Sequence, residues 1–136
     1  MDKKVGVGLI GSQFISTIHA DALSRVGDAE VLAVMSPTEG HAKSFAEKFN
    51  IPNHFTDLDH MLAMPKIDMV VIGAPNFLHC DITLKIAKAG KHVVVEKPLC
   101  MNLKEADLMI DACKQANVKL MYAEELCFTP KYVRMK

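Results

Sequence analysis

The chain has 136 residues, half of them hydrophobic, and its 16 Lys and Arg are matched by 16 Asp and Glu. That length suits one domain able to bury roughly two-thirds of its unfolded surface, and an even charge balance without long runs offers no footprint for nucleic acid or an anionic membrane. No apolar run reaches the roughly 18 residues of a membrane span, and Met1-Asp2-Lys3-Lys4 leading straight into a short strand does not read as a signal peptide, so a soluble, cytoplasmic protein is expected.

Lys4 to Ile10 is almost wholly apolar and β-branched, as befits a central strand buried on both faces. It runs into a glycine turn, Gly11-Ser12-Gln13-Phe14-Ile15, and then a helix. Such a turn presents helix N-terminal N–H groups to a phosphate, which reads as a dinucleotide site, although G-x-G-x-x-G would need glycine at 11, 13 and 16 and only Gly11 is present. The helix places Ile15, Ile18, Ala22 and Val26 on one side and stops near Gly27-Asp28. Glu30 to Met35 is the second strand. After Ser36-Pro37-Thr38, a second helix turns Ala42, Phe45, Ala46 and Phe49 inward and ends before Pro52, which lacks the donor a helix needs.

His54-Phe55 reads as a short strand, and Asp57 as the N-cap of a short helix carrying Leu58, Met61 and Leu62. Lys66 to Gly73 is the next buried strand. Pro75-Asn76 opens a helix with the stripe Leu78, Ile82, Ile86 and Ala89, closed by Gly90. Val93 to Val95 is a strand that ends at Glu96-Lys97-Pro98. Asn102 and Glu105 resemble a capping box ahead of Leu103, Ala106, Ile110 and Cys113. Val118 to Tyr122 is the last strand, and Glu124 to Lys136 reads as the start of another helix.

Strands alternating with helices, without a hairpin signal, give a single α/β domain with a doubly wound, mostly parallel sheet. Ligands of such sheets lie outside the carboxyl ends of the strands. The loops at issue are Gly11-Ser12-Gln13, Ser36-Pro37-Thr38, Ala74-Pro75-Asn76, Glu96-Lys97-Pro98 and Ala123-Glu124-Glu125. Cys80, Cys100, Cys113 and Cys127 never stand at C-x-x-C spacing, and no His, Cys, Asp and Glu group has metal-ligand spacing, so no metal is expected.

Three stretches carry a resemblance: Gly11-Ser12 with Phe14-Ile15 and His19-Ala20; Ile67-Asp68 through Ala74-Pro75-Asn76 to His79; and Ala89-Gly90-Lys91-His92-Val93 through Glu96-Lys97-Pro98-Leu99. Together they resemble the N-terminal Rossmann domain of the Gfo/Idh/MocA oxidoreductases. The resemblance implies NAD or NADP as cofactor, with Gly11, Ser12, Gln13, Phe14 and Ile15 at the pyrophosphate. It places Ala74, Pro75, Asn76 and His79 along the cofactor, and Glu96, Lys97 and Pro98 at its nicotinamide end. Lys97 is the residue it implies to be catalytic. An ammonium there can hydrogen-bond a substrate hydroxyl and, if burial lowers its pKa, help remove its proton as hydride leaves; an ordinary exposed lysine after a strand is the other reading.

Three positions depart from the pattern. Gln13 must turn outward or donate to a phosphate, and Ser16 in place of the close-packing glycine should cost on the order of 1 kcal/mol. Ser36 stands where an acid would hold the adenosine ribose, so a 2′-phosphate is admitted, with Thr38, His41 and Lys43 as the nearby candidates for it and no arginine. NADP is slightly favoured and NAD stays open. Glu125 and Cys127 stand where the family often has asparagine and arginine, so substrate contacts there do not transfer. His19 and His92 read as structural hydrogen bonders and His79 as adjacent to the cofactor without being catalytic.

By the resemblance, residues 1–123 form the NAD(P)-binding domain and 124–136 begin the connection to a C-terminal substrate domain that this sequence lacks. The full protein would then be an oxidoreductase of a sugar, polyol or related hydroxy compound, compatible with a homo-oligomer, and the isolated domain would bind dinucleotide without efficient turnover. A Rossmann module for nucleotide binding or sensing, without chemistry, is the alternative.

Overall fold

The computed structural model describes residues 3–135. Strands β1 (Val5–Ile10), β2 (Ala29–Met35), β3 (Asn53–Phe55), β4 (Met69–Ile72), β5 (His92–Glu96) and β6 (Leu120–Ala123) alternate with helices α1 (Phe14–Ser24), α2 (Glu39–Phe49), α3 (Leu58–Leu62), α4 (His79–Lys88) and α5 (Leu103–Gln115). A 3-10 turn, Asn76–Leu78, leads into α4. A second, Glu125–Phe128, precedes the four-residue α6 (Pro130–Val133), whose first position Pro130 fills as a residue with no N–H to leave unpaired.

The strands form one sheet in the order β3-β2-β1-β4-β5-β6, with every neighbouring pair parallel. Chain order reverses direction between β1 and β4, which puts the ligand crevice beyond Ile10 and Ile72. Successive side chains of a strand face opposite ways, and the two faces bury separate clusters. Val7 and Leu9 of β1 pack with Val34, Val71, Ala20, Phe45 and Ala46 under α1 and α2. Ile10 packs with Ile72, Met61, Ile86, Val95 and Met109 under α3, α4 and α5. Both clusters close within this chain.

The two expected caps form. Asp57 accepts the His60 N–H at 3.0 Å, and Asn102 accepts the Glu105 N–H at 3.0 Å. The Glu105 carboxylate reaches back to the N–H of Met101, one residue before the cap, at 2.9 Å.

Several apolar assignments shift. In α1 the buried residues are Ser16 and Ala20, while Ile18, Ala22 and Val26 are exposed and Ile15 is only half-buried, so the expected stripe is out of phase. The cause is the close approach of α1 to the end of β4, which admits a small side chain at position 16. In α5, Met109 and Cys113 are buried, whereas Leu103 and Ile110 are exposed, because β6 is the sheet edge and covers only part of that helix. In α4, Ile82 and Ile86 face the core but Ala89 does not. Glu124 to Val133 is broken into two short turns where one helix was expected. Among the described residues no helix is long and apolar enough to cross a membrane.

Candidate functional site

Gly11 ends β1 with φ +100°, a conformation that any residue with a Cβ adopts only under strain. A Cβ there would also lie 2.7 Å from the Gly73 carbonyl oxygen. The chain therefore turns sharply over the end of β4 and enters α1 at once, with Gln13 as N-cap. Gln13 is exposed and makes no side-chain cap bond, and the first turn of α1 holds no acid. Its free N–H groups and the positive end of the helix dipole are thus left open to an outside anion.

Beside this turn lies a hollow of about 280 Å³. On one side of it lie Gly11, Ser12 and Gln13; Ser36, Thr38 and His41 form a second wall, and Ala74 and Pro75 a third. Ser12 donates its hydroxyl hydrogen to Ser36 at 3.0 Å, and Ser36 is buried. The ends of β1, β2, β3 and β4 are tied together: the Gly11 N–H donates to Met35 O and the Gly73 N–H to Ile10 O, each at 2.8 Å, and the Ser36 N–H to Phe55 O at 3.0 Å. Leu78 and Ile82 supply apolar wall.

A second hollow, of about 310 Å³, opens between the outer side of α1 and the end of β5. Ile15 and Ile18 line it with Phe128, and His19 meets Glu96 there, Nε2 to Oε1, at 2.7 Å. The other Glu96 oxygen accepts the Lys97 N–H at 3.0 Å. Glu96 is thereby occupied in holding the backbone that presents Lys97 and Pro98, both exposed.

The expected site residues divide accordingly. Gly11, Ser12, Gln13, Ser36, Thr38, Ala74 and Pro75 gather on the first hollow, Ile15 and Glu96 on the second. Phe14 is 78 % exposed and lines neither, and Asn76 is exposed on its 3-10 turn. His79 lies beneath the loops, with its ring nitrogens each 2.9 Å from a carbonyl oxygen, of Pro98 and of Ala74. His92 Nδ1 accepts the Lys119 N–H at 3.1 Å, the structural bond expected of it.

Two participants escape a reading of the sequence. Gly73 supports Gly11, and its signal was a glycine at a strand end. The Ser12–Ser36 bond joins residues 24 apart and had no local signal. Among the described residues no group of three His, Cys, Asp or Glu could hold a metal ion.

Residues 5–124 match the model of an oxidoreductase family described as having an NAD-binding Rossmann fold, GFO_IDH_MocA. The chain is 35% identical to the scyllo-inositol 2-dehydrogenase (NADP(+)) IolU of Bacillus subtilis, over 94% of this chain and 39% of that enzyme. It is 32% identical to the myo-inositol 2-dehydrogenase of Thermotoga maritima, over 96% of this chain and 39% of that one. An NAD binding oxidoreductase from Klebsiella pneumoniae superposes with a TM-score of 0.92 at 32% identity, covering 98% of this chain and 38% of the other. The chain thus spans about two-fifths of the length of these relatives.

Proposed function

The chain belongs to the Gfo/Idh/MocA family of oxidoreductases with an NAD-binding Rossmann fold, and we propose that it is the dinucleotide-binding domain of an NAD(P)-dependent dehydrogenase or reductase acting on a sugar, polyol or related hydroxy compound. The observation that carries this reading is the uncapped N-terminus of α1, reached through the Gly11 turn, which itself lines a hollow whose far wall bears Ser36. An anion-binding end and a place for a ribose stand at the reversal of strand order, where this architecture holds nucleotides.

In this reading the N–H groups from Ser12 to Ile15 hold the pyrophosphate, and Gln13 leaves their approach free by pointing to solvent. Ser36 and Thr38 face the adenosine ribose. No carboxylate stands at Ser36 to repel a 2′-phosphate, and His41 on the same wall adds a potential donor, so NADP is admitted as well as NAD. The enzyme IolU, named for NADP(+), supports that width.

Ala74, Pro75 and Asn76 border the cofactor, with His79 beneath them. Glu96 fixes the turn that presents Lys97, and Pro98 ends it. Lys97 takes the catalytic role: as the neutral amine its Nζ accepts the proton of the substrate hydroxyl during oxidation, and as the ammonium it returns a proton to the carbonyl oxygen during reduction. The bound nicotinamide supplies the hydride acceptor or donor. Residues 1–123 constitute the nucleotide domain and 124–136 the start of the connection to a substrate domain; the inositol dehydrogenases among the relatives support a polyol as substrate class.

Calorimetric titration of the chain with NADH and with NADPH tests the reading. Saturable binding of either is expected, weakening with salt because the ligand is anionic. A folded chain that binds neither overturns it.

A further inference from the structure

His79 is the first residue of α4 and only 1 % exposed. Its Nδ1 lies 2.9 Å from Pro98 O and its Nε2 2.9 Å from Ala74 O. Both partners are carbonyl oxygens, which accept only, while a neutral imidazole has one N–H and one lone pair. A neutral ring would set a lone pair against one of the two oxygens, at a depth where water does not intervene. We infer that His79 carries a proton on each ring nitrogen and, as an imidazolium, clamps the loop after β4 to the turn after β5.

The charged and titratable groups on the elements around it are otherwise engaged or exposed. Glu96 of β5 gives one oxygen to His19 and the other to the Lys97 N–H. Glu105 of α5 accepts from the Met101 N–H and from Asn102 Nδ2. Cys80 of α4 directs its thiol to the Glu105 carbonyl, Cys100 directs its thiol to the Asn102 carbonyl, and Asp81 and Lys97 are exposed. Among the described residues no carboxylate bonds His79, so the two carbonyl dipoles hold the cation. Burying an unpaired charge is costly, and here both ring N–H groups donate to carbonyl oxygens, which offsets part of that cost.

The functional consequence rests on the dinucleotide reading. Ala74 precedes Pro75-Asn76 on one cofactor loop, and Pro98 follows Lys97 on the other. His79 is accordingly a positioning residue: it sets the spacing between the cofactor's border and the lysine proposed to act on substrate.

Ring nitrogen NMR of the ¹⁵N-labelled chain, with His79→Gln to identify the signals, tests the clamp in the wild-type protein. At about pH 7 both His79 nitrogens are expected to be protonated; one bare nitrogen there overturns the inference. Titration with NADH and NADPH forms the second arm. H79Q should bind about tenfold more weakly, roughly 1.4 kcal/mol. Equal affinity in H79Q overturns the positioning role. If the wild-type ring is doubly protonated but neither nucleotide binds, the clamp stands and the dinucleotide reading falls.

Discussion

The Ser16 hydroxyl occupies the space in which a side chain on Gly73 would begin: a Cβ built there lies 2.7 Å from Ser16 Oγ and 3.0 Å from Ile15 Cγ2. Ser16 is itself buried, and its Oγ has no hydrogen-bond partner. Gly73→Ala should therefore lower stability by about 1–3 kcal/mol, the usual cost of overpacking. Ser16→Ala removes both the obstacle and an unsatisfied hydroxyl, so it should be neutral or stabilising by about 1 kcal/mol. The double variant should recover part of the Gly73→Ala loss. Thermal melts of the four proteins in the cycle decide this, and strictly additive effects would count against the contact.

Cofactor choice should respond to position 36. Ser36 is buried at the end of β2 and bonded to Ser12. Ser36→Asp supplies an acceptor for ribose hydroxyls and repels a 2′-phosphate, so the ratio of NADH to NADPH affinity should rise at least about tenfold, 1.4 kcal/mol. Calorimetry on both variants reads it; an unchanged ratio would move the ribose away from this wall.

Lys91 is buried, and its ammonium donates to Ile67 O at 2.8 Å and to Met64 O at 3.1 Å. It holds the segment leading into β4 against the start of β5. Lys91→Met leaves Ile67 O without this donor, while Met64 O keeps the Ile67 N–H, a loss of about 1–3 kcal/mol. Burial holds the lysine below its ordinary pKa, so the unfolded chain keeps the proton longer than the folded one as pH rises. Between the lowered folded value and the unfolded value of about 10.4, wild type gains stability with pH relative to Lys91→Met. Denaturant melts at several alkaline pH values should show that gap widening.

Asp68 acts in the same direction at the acid end of the pH range. Its carboxylate accepts the Gly6 N–H at 2.9 Å and Lys3 Nζ at 2.9 Å. The backbone bond, then that to Lys3, holds its pKa below the ordinary carboxylate value. Its contribution is complete above the unfolded pKa of about 3.9 and is lost as pH falls through the lowered folded value. Asp68→Asn should flatten that part of the acid limb. Lys3→Ala should change stability by less than about 0.5 kcal/mol, since exposed ion pairs are weak.

Strand and helix order, the parallel sheet and both side-chain caps were legible in the sequence, because a strand buried on two faces is a continuous apolar run and a cap is a local bond. The inward face of α1 was not. Contact with the ends of β1 and β4 selects for smallness, so serine at 16 faces in while Ile18 faces out, and a search for apolar periodicity picks the wrong side. Site residues were legible as loops but not as a division. Glu96 and Ile15 meet at a separate hollow from Ser36 and Ala74, a distinction that depends on how far α1 stands from β5. Likewise, nothing in the sequence foretold that both nitrogens of His79 meet carbonyls.

The placement of β1 in the middle of the sheet also constrains how the chain is made. Among the strands of this sheet, β1 is synthesised before the others. Its Val7 pairs with Val31 on one side but with Met69 on the other. One edge of an apolar strand therefore stays open until roughly half of the chain has been added, and its second face lacks cover until α3 and α4 follow. Unpaired edges of this kind invite association with other chains. A nascent chain stopped between β3 and β4 would expose that edge, and the ribosome releases the danger only when residues 69–72 emerge to close it.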